Sequence, residues 1–196
     1  MKAVLFDMYG VMIREPKGNL QPYIAGFIPG ITEEQVYANW LEASRGFMSS
    51  EDFLRSTGLE GDLKSIEREY LDTLHLNNGI FDAVSFLRSK GIKTALLSND
   101  MKEWNSYLRA RFDLDRLFDE IIVSGDVGSR KPMPEMYDLA LERIGERAED
   151  CVFVDDQERN TNAAAALGIK TVTFGSPGAQ AEDFPELIEL FSKILN

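Results

Sequence analysis

The sequence predicts an α/β fold, a Rossmann-like doubly wound parallel sheet with a small helical cap inserted after the first strand. Three observations predict it. Short β-prone apolar runs alternate with amphipathic helical stretches, the pattern of right-handed βαβ units. Polar and charged residues collect at the ends of these runs, where open α/β sheets bind their ligands. A helix-rich interval interrupts the alternation once, straight after the first run.

In chain order, Ala3–Phe6 is four apolar residues with β preference and reads as a buried strand. Asp7 ends it, and Gly10 lets the backbone turn sharply away. The interval from about Ile13 to Asn78 breaks the rhythm. It opens with Pro16, Gly18, Pro22, Gly26, Pro29 and Gly30. Thr32-Glu33-Glu34-Gln35 is then a capping box that starts a helix reaching about Ala43. Ser50-Glu51-Asp52-Phe53 starts a second helix, and a third runs from Asp62 to about Leu76. Further strands are expected at Lys93–Leu97, Ile121–Val123, Cys151–Val154 and Lys170–Phe174. Helices are expected at Ile80–Lys90, Met101–Phe112, Glu135–Ile144, Arg159–Leu167 and Phe184–Leu195, with Gly91 and Gly168 as stops. The expected division is a core of residues 1–12 and 80–196 and a cap of residues 13–79.

Composition narrows the function classes. The 196 residues are 44% hydrophobic and 28% charged, an ordinary globular balance. A net charge of -12 argues against general nucleic-acid or anionic-membrane binding, which need basic patches, yet leaves room for a small phosphate held by one lysine and backbone amides. No segment approaches the roughly 20 apolar residues of a membrane span, and Asp7 interrupts the N-terminal apolar stretch before a signal core forms, so a cytoplasmic location is expected. The single cysteine, Cys151, lies in an apolar run and reads as a core residue. His75, the one histidine, sits between Leu74 and Leu76 in a helical pattern, and no nucleophile motif points at it.

Four strand-end segments carry chemistry. The first is Asp7 with Tyr9. The second is Ser98-Asn99-Asp100, where Ser98 and Asn99 open a helix whose amino end offers amides and positive dipole to an anion; as capping residues they would serve the helix alone. The third is the glycine- and proline-rich segment Ser124–Tyr137, which presents Lys131 as a placed cation before a helix. The fourth is Asp155-Asp156 with Asn160. Its adjacent carboxylates need a counter-charge, from Lys131 or from a divalent cation, and Asp7 plus one of them makes a hard oxygen site suited to Mg²⁺.

In order and placement these segments resemble the haloacid dehalogenase-like hydrolase superfamily, most of whose members are phosphatases. Val127–Pro132 and Asp155-Asp156 with Asn160 are most similar to the phosphatase domain of soluble epoxide hydrolases and to small sugar-phosphate phosphatases. The resemblance implies that Asp7 is the nucleophile, that Ser98 and Lys131 bind the phosphate, and that Asp156 ligates Mg²⁺. It places Asp155 and Asn160 at or next to the metal and makes the main-chain carbonyl of Tyr9 a metal ligand. The implied reaction is attack of Asp7 on a small phosphorylated metabolite, then hydrolysis of the aspartyl-phosphate, with Asp7 kept ionised by a nearby cation.

One position departs from the pattern. Phosphatases of this type carry a second Asp two residues after the nucleophile as general acid and base, and this chain has Tyr9 there. A phenol is a poor general base at neutral pH, so slow turnover of poor leaving groups is expected. Asp-x-Tyr-Gly is also the 2-haloacid dehalogenase pattern, which Tyr137 fits as well, though those enzymes replace the paired acids by Ser-Ser-Asn and carry Thr in place of Val11. A module that binds a phosphorylated metabolite without turning it over is the third reading.

Overall fold

The computed structural model describes residues 1–14, 20–26, 28, 30–175 and 184–195; Pro16, Gly18 and Pro29 of the predicted interval fall outside this set. Five parallel strands form the main sheet: β1 (Ala3–Phe6), β4 (Lys93–Ser98), β5 (Glu120–Val123), β6 (Cys151–Asp155) and β7 (Lys170–Thr173). They lie in the order β5-β4-β1-β6-β7, so successive strands go to one side of β1 and later ones to the other. The chain therefore changes direction between β1 and β6, and the crevice beyond their carboxyl ends is where such sheets place a ligand.

The alternation of β1 explains the two layers. Val4 and Phe6 point into one core, while Ala3 and Leu5 point into the other. The first face is covered by α5 (Ile80–Ser89), α6 (Lys102–Phe112) and α10 (Phe184–Leu195), with Phe191 edge-on to Phe6 at 6.3 Å between centroids. The second is covered by α8 (Pro134–Ile144) and α9 (Glu158–Ala166), where Tyr137 packs edge-on against Phe153. Cys151 is fully buried in β6.

The interval after β1 holds α1 (Leu20–Ala25), α2 (Glu33–Ala43), α3 (Ser50–Ser56) and α4 (Leu63–Asp72). The predicted capping box is present, with Thr32 Oγ1 accepting from Gln35 N and Gln35 Oε1 accepting from Thr32 N. Ser49 and Asp62 cap the next two helices. The third helix ends earlier than predicted. His75–Leu76 is not helical but a short strand, β3, pairing antiparallel with β2 (Ile13–Arg14). Asn77 completes this ribbon by donating its backbone N–H to Met12 O at 2.8 Å. Long-range pairing with the segment leaving β1 outweighs the local helical pattern here, and His75 is an exposed ribbon residue beside the cavity described below.

The loop after α2 touches the short helix α7 (Ser124–Val127), which follows β5, backbone to backbone. A Cβ on Gly46 would lie 2.3 Å from the Gly125 carbonyl oxygen. Beside it, Ser124 Oγ donates to Ser44 O at 2.5 Å and accepts from Asp100 N at 2.9 Å. These contacts fix where the helical interval sits over the carboxyl end of the sheet.

Candidate active site

Asp7 follows β1 directly and is 7% exposed. Its Oδ1 accepts the Met8 backbone N–H at 2.6 Å and lies 2.6 Å from Lys131 Nζ. Lys131 is a fully buried cation and reaches two strand ends at once, with Asp155 Oδ2 at 2.8 Å. Asp156 lies in the same group: one carboxylate oxygen from each of Asp7, Asp155 and Asp156 lies within 4.8 Å of the others. Three carboxylates against one ammonium leave two negative charges without a counter-ion in the group, which fits a divalent cation.

The two adjacent aspartates are used differently. Asp155 is saturated, since Lys131, the Gln157 backbone N–H and the Asn160 amide all donate to it at 2.8–3.1 Å. It orients Lys131 and is itself held by Asn160. Asp156 is half-buried at the cavity wall, with the Gln157 side chain on Oδ2 at 2.9 Å. Gly10 makes room for it. A Cβ there would meet Asp156 Cγ and Oδ2 at 2.5 Å, and the backbone has φ +80°.

The charge balance appears in the acidities. Burial first, then the neighbouring Asp155, push the Asp7 carboxyl well above the ordinary carboxylate range, and Lys131 opposes them without winning. The expectation that a nearby cation keeps the Asp7 pKa down is not met by Lys131 alone, because burial and Asp155 outweigh it. Burial also raises Asp156, with Asp155 adding to it. Burial disfavours charge on Lys131, but Asp155 and Asp7 outweigh it and the ammonium is raised.

The predicted phosphate-binding pair splits. Ser98 ends β4, fully buried, and its Oγ has no hydrogen-bond partner among the described residues. Such an orphaned hydroxyl is what an incoming oxygen would satisfy. Asn99 instead clamps the lysine loop, its Oδ1 accepting from Lys131 N at 2.8 Å and its Nδ2 donating to Lys131 O at 2.9 Å. It positions Lys131. Tyr9 lines the cavity, and its hydroxyl donates to Asp100 Oδ2 at 3.1 Å. Tyr137 donates to the Asn160 carbonyl at 2.9 Å inside the core and so ties α8 to α9.

Sequence reasoning missed Asp100, a buried carboxylate facing the cavity on the far side of Tyr9. It also missed Arg130 and Arg159, which line the same wall. The signal for Arg130 was its place beside Lys131 in a fixed loop; nothing local marks Arg159. Of the aromatics in the helical interval, Trp40 and Tyr70 reach the cavity, Phe53 is in the core, and Phe47 is exposed. The cavity measures about 660 Å³, within the size of small-molecule sites. No helix among the described residues is long and apolar enough to cross a membrane.

The chain is similar to known proteins. The chain is 31% identical over 187 residues to a phosphorylated carbohydrates phosphatase of Thermotoga maritima, covering 88% of this chain and 84% of that one. Its fold matches a magnesium- and phosphate-bound enzyme of the haloacid dehalogenase family from Bacteroides thetaiotaomicron with a TM-score of 0.77, at 23% identity and over 88% of this chain and 93% of that one. An L-2-haloacid dehalogenase, RSc1362, matches with a TM-score of 0.70, at 20% identity and over 98% and 99% of the two chains. The model of the haloacid dehalogenase-like hydrolases spans residues 1–168, and the chain belongs to that family.

Proposed function

We propose that this hydrolase is a Mg²⁺-dependent phosphomonoesterase acting on a small phosphorylated metabolite, with residues 13–79 as a cap that shapes the substrate cavity. The carrying observation is the Asp7–Lys131–Asp155 contact with Asp156 in reach: an excess of carboxylate, at the point where the sheet reverses, around one buried lysine. Asp7, Asp156 and the Tyr9 carbonyl would hold the metal, which supplies charge neutralisation at the phosphoryl oxygens.

The chain's own residues do the rest. Asp7 attacks phosphorus in line, giving an aspartyl-phosphate that water then hydrolyses. Lys131, fixed by Asn99 and Asp155, neutralises an equatorial oxygen, and Ser98 donates to another. The wall made by Tyr9, Tyr70 and Trp40 excludes water from one side. The test is hydrolysis of phenyl phosphate. Turnover is expected with Mg²⁺ and is expected to stop with EDTA; halide release from 2-chloropropionate that survives EDTA would support the dehalogenase instead. The paired acids Asp155 and Asp156 speak against the latter, since they would repel a carboxylate substrate.

Tyr9 donates its proton to Asp100 and therefore has none directed at a leaving group in this arrangement. In Tyr9→Asp, a carboxyl is placed on the Asp100 side of the cavity, where two acids near each other share a proton and one stays protonated near neutral pH. Alkyl-phosphate turnover is expected to rise by about 10², with a smaller rise for aryl phosphates whose leaving group needs no proton. Equal effects on the two substrate types would remove this account of Tyr9.

A further inference from the structure

Arg130 precedes Lys131 in the fixed loop and is 5% exposed. Burying a guanidinium is costly unless its N–H groups are satisfied. Its Nε has no hydrogen-bond partner, and among the described residues no carboxylate lies within ion-pair reach of it. Several other arginines are paired with acids, with Arg55 on Glu51 at 2.7 Å, Arg88 on Asp119 at 3.0 Å and Arg116 on Asp113 at 2.7 Å. The face of Arg130 rests on the Trp40 ring at 4.9 Å, and the residue lines the cavity beside the Tyr37 hydroxyl.

Arg159, at the start of α9, lines the same cavity and is likewise without a carboxylate among the described residues. The two guanidiniums and half-buried Arg45 are close enough to repel one another, and both Arg130 and Arg159 face Tyr37. Burial opposes ionisation of the Tyr37 phenol, but Arg159 and Arg130 outweigh it and lower its pKa from the ordinary phenol value. In a chain of net charge -12, the buried Arg130, without an acid and repelled by Arg159 and Arg45, costs stability until an anion arrives.

We infer that this wall is a second anion subsite, built on Arg130 and Arg159, and that the substrate is a phosphomonoester bearing a second anionic group, carboxylate or phosphate. The inference rests on the phosphatase reading of Asp7. Lys131 and Ser98 take the phosphoryl group that reacts, and the arginines take the group that does not. Arginine suits this task because its planar fork matches either anion bidentately. Trp40 holds Arg130 in place for it.

Three probes separate the possibilities: 4-carbamoylphenyl phosphate, its isosteric anion 4-carboxyphenyl phosphate, and 1,4-phenylene bisphosphate. The anionic probes are expected to show kcat/KM at least about tenfold above the amide, mainly through KM, and the better of the two identifies the anion. Arg159→Gln, at an exposed position, is expected to lower kcat/KM for the preferred anion about tenfold more than for the amide. Equal kcat/KM for amide and anions in the unmodified enzyme, or equal losses in the variant, would overturn the subsite and leave the arginines as struts. Calorimetric binding of the same probes to Asp7→Asn reads the subsite without turnover. No turnover of any probe by the unmodified enzyme would defeat the phosphatase reading, whereas equal affinities in the calorimeter would defeat the subsite.

Discussion

Asp7→Asn is expected to lower Mg²⁺-dependent phenyl phosphate turnover by at least about 10⁴, because an amide oxygen cannot form the acyl-phosphate and no other step bypasses it. The same substitution is expected to stabilise the protein. Burial and Asp155 raise the Asp7 carboxyl, so holding it ionised near neutral pH costs folding free energy that an isosteric amide does not. With a folded-state pKa above the unfolded value, this cost is absent below the carboxylate's ordinary 3.8, grows as pH rises towards the raised value and is full above it. A gain of about 1 kcal/mol at pH 7, or about 3 °C in Tm, is expected in EDTA. Turnover above one part in about 10³, or a fall in Tm, would show that Asp7 is not the strained nucleophile described here.

This opposition of activity and stability explains which parts of the molecule were legible beforehand. The parallel sheet was legible because its strands are short apolar runs alternating with helices, whereas their order in the sheet was not. Asp7, Lys131 and Asp155-Asp156 were legible because they break local rules. An acid pair closing an apolar strand and a lysine between glycine- and proline-rich turns serve neither element's stability. Asn99 was only half legible: as a residue opening a helix it has a sufficient local reason, and its grip on the Lys131 backbone comes from a loop 32 positions away. The short ribbon of Ile13–Arg14 with His75–Leu76 was not legible at all. Two residues on each side carry no period, and their pairing joins segments about 60 residues apart. Arg159 looked like any helix residue, because what distinguishes it is its place beside Arg130 at the cavity, set by the fold.

Lys131→Met tests the other half of the same balance. Methionine keeps much of the volume and removes the charge, leaving Asp7 and Asp155 facing each other in a buried site with their shared partner gone. Removing one side of a buried ionic group costs about 3–5 kcal/mol, which for a chain of this size corresponds to a fall of roughly 10 °C in Tm at pH 7. Turnover is expected to drop by about 10²–10³ as well, since Lys131 is the donor aimed at the reacting phosphoryl group. Acid separates this electrostatic cost from a packing defect. Without Lys131 to oppose burial and Asp155, the Asp7 carboxyl rises further, so the variant carries its penalty above that raised value and sheds it as protons bind below. In EDTA, the Tm gap between the two proteins should therefore narrow steadily from pH 7 towards pH 4. Adding Mg²⁺ at pH 7 should raise the Tm of the variant more than that of the unmodified protein, because the cation replaces a missing charge in one and supplements an existing charge in the other. A gap unchanged by both acid and Mg²⁺ would mean that Lys131 is held in the site by packing, and that the carboxylates around it do not form a cation-seeking cluster.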